Sequence, residues 1–312
     1  GKREFNMNYL KIYKQVTSGM QVLLGTLHPN HADVLIPEKC FTTEGFEYHI
    51  YHPSGRALRT VLLVYGMCIL GEEDGHVTAF ARSCANAGLR VVVPVLPGLK
   101  QFTVDGEDFF RLEKIVHVIM ENEAETIGMV GLSTGGNYAL LLASLQAFCQ
   151  KINPVLLLSP IYDLQDVFHN MHSPNVPEKP FGSGWNIYCW QQFVIAYRNH
   201  LMLEISGNNH KRLEGILDDY ELLSLKEKTS FFEKNIVPLK LPGRPYLLNE
   251  GTLLDTLSAA GNLKNIRSSI YIIHGSIDPL VSPEHSRKIY AELSLRDDGF
   301  KQELLVTPWF SH

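Results

Sequence analysis

The sequence predicts an α/β fold built on a mostly parallel, doubly wound sheet that is interrupted by a helical insertion. Three observations carry that prediction. Valine-rich apolar runs, TVLLVYG at 60–66, LRVVVPV at 89–95 and PVLLLSP at 154–160, alternate with stretches of helical periodicity. The alternation stops after Ile161 and resumes only at Ser269. Between the second and third runs, GLSTG at 131–135 sits where a strand gives way to a helix.

Taken in order, residues 6–25 space Tyr9, Tyr13, Val16, Met20 and Leu24 as one face of a helix, so 1–45 are expected to be an N-terminal helical extension. Phe46 to Tyr51 alternates as an outer strand, and HPSGRA supplies turn chemistry. Thr60–Gly66 is short, continuous and apolar, the pattern of a strand covered on both faces. His76–Ala87 follows as a helix ended by Gly88, and LRVVVPV as the next buried strand. A helix at Phe109–Glu121, a strand TIGMVGL, a helix at Gly135–Phe148 and the strand at Pro154–Pro160 continue the series. From 161 to 253 helical patterns dominate, around Asn186–Leu203 and Arg212–Lys228, and are assigned to a cap. A helix at Thr252–Ala260 and the strand SSIYIIH return the chain to a core made of 46–160 and 254–312.

Composition narrows the function classes. The chain has 312 residues, a hydrophobic content of 45 % and a net charge of -5, so a large core is expected and no basic field exists for nucleic acid. No apolar run approaches the ~18 residues that span a bilayer. Five cysteines, Cys40, Cys68, Cys84, Cys149 and Cys189, are scattered without CxxC spacing, and no HxH or HExxH pattern occurs, so neither a metal nor another cofactor is expected. Asn-x-Ser/Thr acceptors are absent, which with the odd cysteine count favours a cytoplasmic location. The chain opens on Gly1, as a trimmed N-terminus would.

Gly131-Leu132-Ser133-Thr134-Gly135 has the GxSxG form. Alone, the pattern reads equally well as a helix N-cap serine. Between a strand and a helix it reads as a strained turn that lifts the Ser133 hydroxyl to the carboxyl edge of the sheet, with glycines where neighbouring backbone comes too close for a Cβ. A hydroxyl needs a base and an orienting acid. Downstream, SSIYIIHGSIDPLVSPEHS puts Asp278 on a loop just past a strand end, and the closing PWFSH supplies His312. The order Ser133, Asp278, His312 fits such a triad.

On GLSTGG, HGSIDPLVSPEHS and the closing SH, the chain resembles α/β-hydrolase-fold serine hydrolases with a helical cap, over about 46–312. The resemblance implies an esterase-like acyl chemistry on a small-molecule substrate, with oxyanion donors in the Thr134 and Met67 amides. Asp163, past the strand after the nucleophile helix, is the alternative acid, or else a helix cap. Tyr65-Gly66-Met67-Cys68 replaces the His-Gly pair often found in this loop, which bears on loop orientation rather than on the donor itself. Cys68 lacks an elbow and reads as a buried thiol, and GEEDG at 71–75 as a solvated acidic loop. His285 falls on an expected surface helix. Trp185, Tyr188 and Trp190 of the cap could roof an apolar pocket or form the cap's own core. Nothing follows His312 to hold its imidazole, so the natural chain is expected to continue beyond it. A silent, ligand-binding member of the fold, an acyltransferase and a carbon–carbon bond hydrolase remain alternatives to the esterase.

Overall fold

The computed structural model describes residues 35–308, apart from 69, 102, 105, 124–125, 172–250 and 279–280. In chain order its elements are β1 (Glu38–Phe41), β2 (Glu47–Tyr51), β3 (Arg59–Val64), α1 (Gly75–Asn86), β4 (Leu89–Pro94), a one-turn α2 (Pro97–Lys100), α3 (Gly106–Glu121) and β5 (Ile127–Leu132). They continue with α4 (Thr134–Ser144), β6 (Ile152–Leu158), α5 (Leu164–Met171), α6 (Gly251–Leu257), β7 (Ile270–Gly275), α7 (Pro283–Ser294) and β8 (Gln302–Thr307). The strands form one sheet of eight in the order β1-β2-β4-β3-β5-β6-β7-β8. β1 pairs antiparallel with β2 and β2 antiparallel with β4, while every pairing from β4 through β8 is parallel.

The central strands are valine- and leucine-rich because helices cover both faces of the sheet. Leu62, Leu63, Val64, Val91, Val92 and Val93 are wholly buried. Helix starts follow local chemistry. Asp74 caps α1 by accepting the His76 N–H at 2.8 Å, and Ser282 accepts the Glu284 N–H at 3.3 Å ahead of Pro283 at the start of α7. After β3 the chain passes to β4 on one side and then to β5 on the other, so the strand order reverses at β3. The crevice at the carboxyl ends of β3 and β5 is where sheets of this kind bind ligands. No helix among the described residues is long and apolar enough to cross a membrane.

Three expectations need correction. Glu38–Phe41, inside the segment 1–45 assigned to a helical extension, is an edge strand, joined to β2 by a tight turn in which the Gly45 N–H bonds the Thr42 carbonyl at 3.0 Å. Its EKCF sequence is mostly exposed and carries no apolar signal. Residues 1–34, where the helical periodicity was read, lie outside the described residues. The helix expected at Gly135–Phe148 stops at Ser144, because Leu145 is extended at φ -67, ψ 133. His285 is not on a surface: it is 2 % exposed, within α7.

The ends of the segment 161–253 are stitched to one another and to the core, although its interior, 172–250, is outside the described residues. The Ala260 N–H bonds the Tyr162 carbonyl at 2.9 Å, and the Leu164 N–H bonds Ser258 Oγ at 3.0 Å. Gln165 Nε2 donates to Asp255 Oδ1 at 2.6 Å. Asn137, buried in the first turns of α4, donates to the Leu257 carbonyl and accepts the Ala259 N–H at 2.7 Å. On the other side, His285 Nδ1 accepts the Tyr162 and Asp163 N–H groups at 3.3 and 3.4 Å, which puts its proton on Nε2, 3.2 Å from Asp166 Oδ2.

Burial holds the His285 pKa below its ordinary value near 6.5, although the Asp166 carboxylate pulls the other way. On acidification the unfolded chain therefore takes up this proton before the folded one does. The contribution of His285 is complete above pH 6.5 and is lost as pH falls through the lower folded value. Thermal unfolding followed from pH 8 to about pH 5 is expected to show this decline in the parent chain and a flatter profile in His285→Asn, which keeps an acceptor but does not titrate.

Candidate active site

Ser133 immediately precedes α4 and adopts φ 50, ψ -121, a conformation that costs a non-glycine residue ~1–3 kcal/mol. Although it occupies the N-cap position, its side chain makes no capping hydrogen bond. The capping reading is thereby set aside: the hydroxyl is not spent on the helix. Instead the backbone is fixed from outside, since the Ser133 N–H bonds the Leu158 carbonyl at 2.8 Å and the Ser133 carbonyl accepts the Gly136 N–H at 2.9 Å.

The glycines are there for close approach. A Cβ on Gly131 would stand 2.6 Å from the Gly136 Cα and 2.9 Å from the Ala139 Cβ. At Gly135 it would run into the carbonyl oxygens of Val64 and Tyr65, so α4 packs its first turn directly on the exit of β3. A Cβ on Gly66 would lie 2.9 Å from the Ser133 Cβ and 3.5 Å from its Oγ. The loop after β3 thus touches the elbow. Thr134 N–H, at the first position of α4, has no carbonyl a turn earlier in the helix to bond. Met67 N–H makes no backbone hydrogen bond among the described residues, whereas the Cys68 N–H next to it is committed to the Leu99 carbonyl at 3.2 Å. Both expected oxyanion amides are therefore chemically available on segments that flank Ser133.

Burial, reinforced by the Asp74 carboxylate, pushes the Cys68 thiol up to about 11, the reverse of what a thiolate nucleophile needs. The acidic loop GEEDG departs from expectation. Its Glu72 is 4 % exposed and bonds Lys100 Nζ at 2.8 Å, because Tyr65 and Lys100 meet it from below.

Asp278 follows β7 by three residues, and its side chain is wholly buried. Oδ1 accepts the Val281 N–H at 2.9 Å, and Oδ2 lies 3.3 Å from His274 Nε2. His274 is equally buried and is fixed at both ring nitrogens, Nε2 to the Val281 carbonyl at 2.9 Å and Nδ1 to Ser286 Oγ at 2.6 Å. A carbonyl only accepts, so the Nε2 proton also faces the carboxylate. His274 is thus committed to Asp278 and its loop rather than to a reacting hydroxyl. Asp163, the alternative acid, accepts the Asp166 N–H on Oδ1 at 3.2 Å in the first turn of α5, as a helix cap does. His312 and the aromatic residues Trp185, Tyr188 and Trp190 lie outside the described residues.

One residue of this edge has no counterpart in the sequence reading. Ser159 leaves β6 at φ 46, and Leu158 before it is the register partner of Leu132, so Ser159 and Ser133 are neighbours across two strands. Ser159 is 3 % exposed and its hydroxyl has no hydrogen-bond partner among the described residues; the Thr134 hydroxyl, also buried, has none among them either. Nothing in Leu-Ser-Pro distinguishes this serine from an ordinary turn residue.

No family model matches the chain. Solved structures do. An acylaminoacyl peptidase of Pyrococcus horikoshii superposes with a TM-score of 0.55 at 13 % identity, over 93 % of this chain and 39 % of that one. The virulence factor BioJ of Francisella gives 0.52 at 14 % identity, over 96 % and 82 % of the two chains. An esterase of Pyrococcus furiosus gives 0.51 at 15 %, over 89 % and 82 %. At such identities the likeness is one of fold, and the fold is that of the α/β-hydrolases. In sequence, a stretch of 101 residues is 32 % identical to Trypsin 5G1 of Aedes aegypti; it makes up 30 % of this chain and 38 % of that protein, too little to show a family.

Replacing Ser159 by glycine removes both the left-handed strain and a buried hydroxyl without a partner. Urea unfolding is expected to show Ser159→Gly more stable by about 1 kcal/mol. A destabilised variant would mean that the hydroxyl is satisfied in solution.

Proposed function

We propose that the chain is a serine hydrolase, carboxylesterase-like, that cleaves carboxylic esters or related acyl bonds of small to medium hydrophobic substrates through an acyl-enzyme on Ser133. The observation that carries this reading is the backbone of Ser133. It is a serine held at φ 50 before a helix it does not cap, beside the loop that follows the central strand. The solved structures of similar fold include an esterase and acylaminoacyl peptidases by name, which supports a hydrolase without choosing the bond.

In this mechanism Ser133 Oγ attacks the carbonyl carbon while the His312 imidazole takes its proton. The carbonyl electron pair moves onto oxygen, where the Thr134 and Met67 N–H groups receive it. Collapse breaks the bond to the leaving group, which takes the proton from His312. Water, deprotonated by the same imidazole, then attacks the acyl-serine and releases the acid. Asp278 orients the imidazole and stabilises its charged form, its own carboxylate held by Val281 N–H and His274. Asp163 is the weaker choice of acid because its carboxylate already caps α5. The aromatic residues Trp185, Tyr188 and Trp190 supply the apolar roof, and no cofactor or metal takes part. We place this activity in the cytoplasm.

The test is turnover of a series of p-nitrophenyl esters of increasing acyl length. Ser133→Ala is expected to lose about 10⁴-fold or more in kcat/KM, and Asp278→Asn about 10³- to 10⁴-fold with little change in KM. Unchanged turnover in Ser133→Ala would sink the proposal.

A further inference from the structure

Met67 lies between β3 and a single 3-10 turn at Gly71–Glu73, itself in neither helix nor strand, yet an oxyanion donor must be placed within about half an ångström. Its fastening is a buried polar network. Tyr65, the residue before Gly66, is 1 % exposed, and its Oη accepts the Leu96 N–H at 2.8 Å. The same hydroxyl lies 3.2 Å from Glu72 Oε2 and 3.4 Å from the Leu96 carbonyl, and its one proton is shared between these acceptors. Glu72 Oε1 accepts from Lys100 Nζ at 2.8 Å. Gly71, at φ +53, lets the backbone pass where a Cβ would stand 2.7 Å from Lys100 Cγ and 2.9 Å from Tyr65 Oη. On its far side the loop is tied by the Cys68 N–H to the Leu99 carbonyl, and Leu99 is held in turn by its own N–H on Asp108 Oδ2 at 2.8 Å.

A buried carboxylate paired with a half-buried ammonium contributes little net stability compared with apolar residues of similar size. What this pair does provide is direction. Glu72 holds the Tyr65 hydroxyl, and Lys100 holds Glu72, while the Tyr65 carbonyl abuts Gly135 at the start of α4. The Gly66–Met67 peptide is thereby clamped between the nucleophile helix and the network. We infer that Tyr65, Glu72 and Lys100 are positioning residues that aim the Met67 N–H at the developing oxyanion, in place of the histidine the sequence lacks in this loop. The inference rests on the acyl-transfer reading of Ser133.

The experiment compares Tyr65→Phe and Glu72→Gln with the parent chain in hydrolysis of p-nitrophenyl esters, in affinity for a trifluoromethyl ketone analogue of the tetrahedral intermediate, and in Tm. Each variant is expected to lose about 10²-fold in kcat with KM changed less than about threefold. Affinity for the ketone should fall in parallel with kcat/KM. Tyr65→Phe/Glu72→Gln together should cost little more than either alone, because the groups act as one unit. Folded variants with parental kcat overturn the inference while leaving the acyl-transfer reading intact. So does a loss that appears in KM alone or that tracks the fraction of unfolded protein. A parent chain that hydrolyses none of the esters overturns the acyl-transfer reading and this inference with it.

Discussion

The structure depends first on the contact between the exit of β3 and the first turn of α4. The carbonyl oxygens of Val64 and Tyr65 sit against Gly135, where a Cβ would overlap them. That contact sets how low α4 rides on the sheet, and therefore how sharply the chain must turn between β5 and α4. With Leu132 still paired to Leu158 and Thr134 already helical, Ser133 alone absorbs the change in direction, at φ 50. Strain of this size persists only where the surroundings over-determine it. Here they include the parallel pairing of β3 with β5, the glycines on both sides of the serine, and the Ser133 N–H bond to β6.

The same helix organises the rest of the candidate site. Asn137 on α4 holds the 257–259 segment, which in turn holds Leu164 through Ser258, so the start of the insertion and the chain just after it are referenced to the elbow. His285 ties the start of the insertion to α7, and Ser286 beside it ties α7 to His274 and hence to the Asp278 loop. Ser133, the Asp278 loop and the base of the insertion are therefore linked through buried polar contacts rather than resting on separate supports. Such contacts cost more to break than they contribute to net stability, and their main effect is to fix one arrangement.

Much of this was legible in the sequence, for physical reasons that differ by element. The central strands declared themselves because burial on both faces demands valine and leucine at consecutive positions, as in Val91–Val93. The elbow declared itself because close backbone approach admits only glycine. What escaped was decided by tertiary contacts that local pattern does not encode. EKCF reads as part of the helical segment before it because a short, mostly exposed edge strand needs no apolar alternation to mark it. Glu72 reads as solvated until Tyr65 and Lys100 are brought to it by the fold. His285 sits on a helix whose other residues are largely polar, and its burial follows from residues 162–166 packing over it. Ser159 carries no signal at all, since its strain arises from packing at the edge of β6.

The central claim, that Ser133 is an activated nucleophile because its strained turn leaves the hydroxyl uncommitted, is tested most directly by locating a covalent adduct. The folded protein would be treated with a fluorophosphonate and the modified residue mapped by peptide mass spectrometry. The account predicts a phosphonyl group on Ser133 at close to one per chain, abolished by prior heat unfolding. An adduct on another residue such as Ser159, or none on a folded chain, would contradict it.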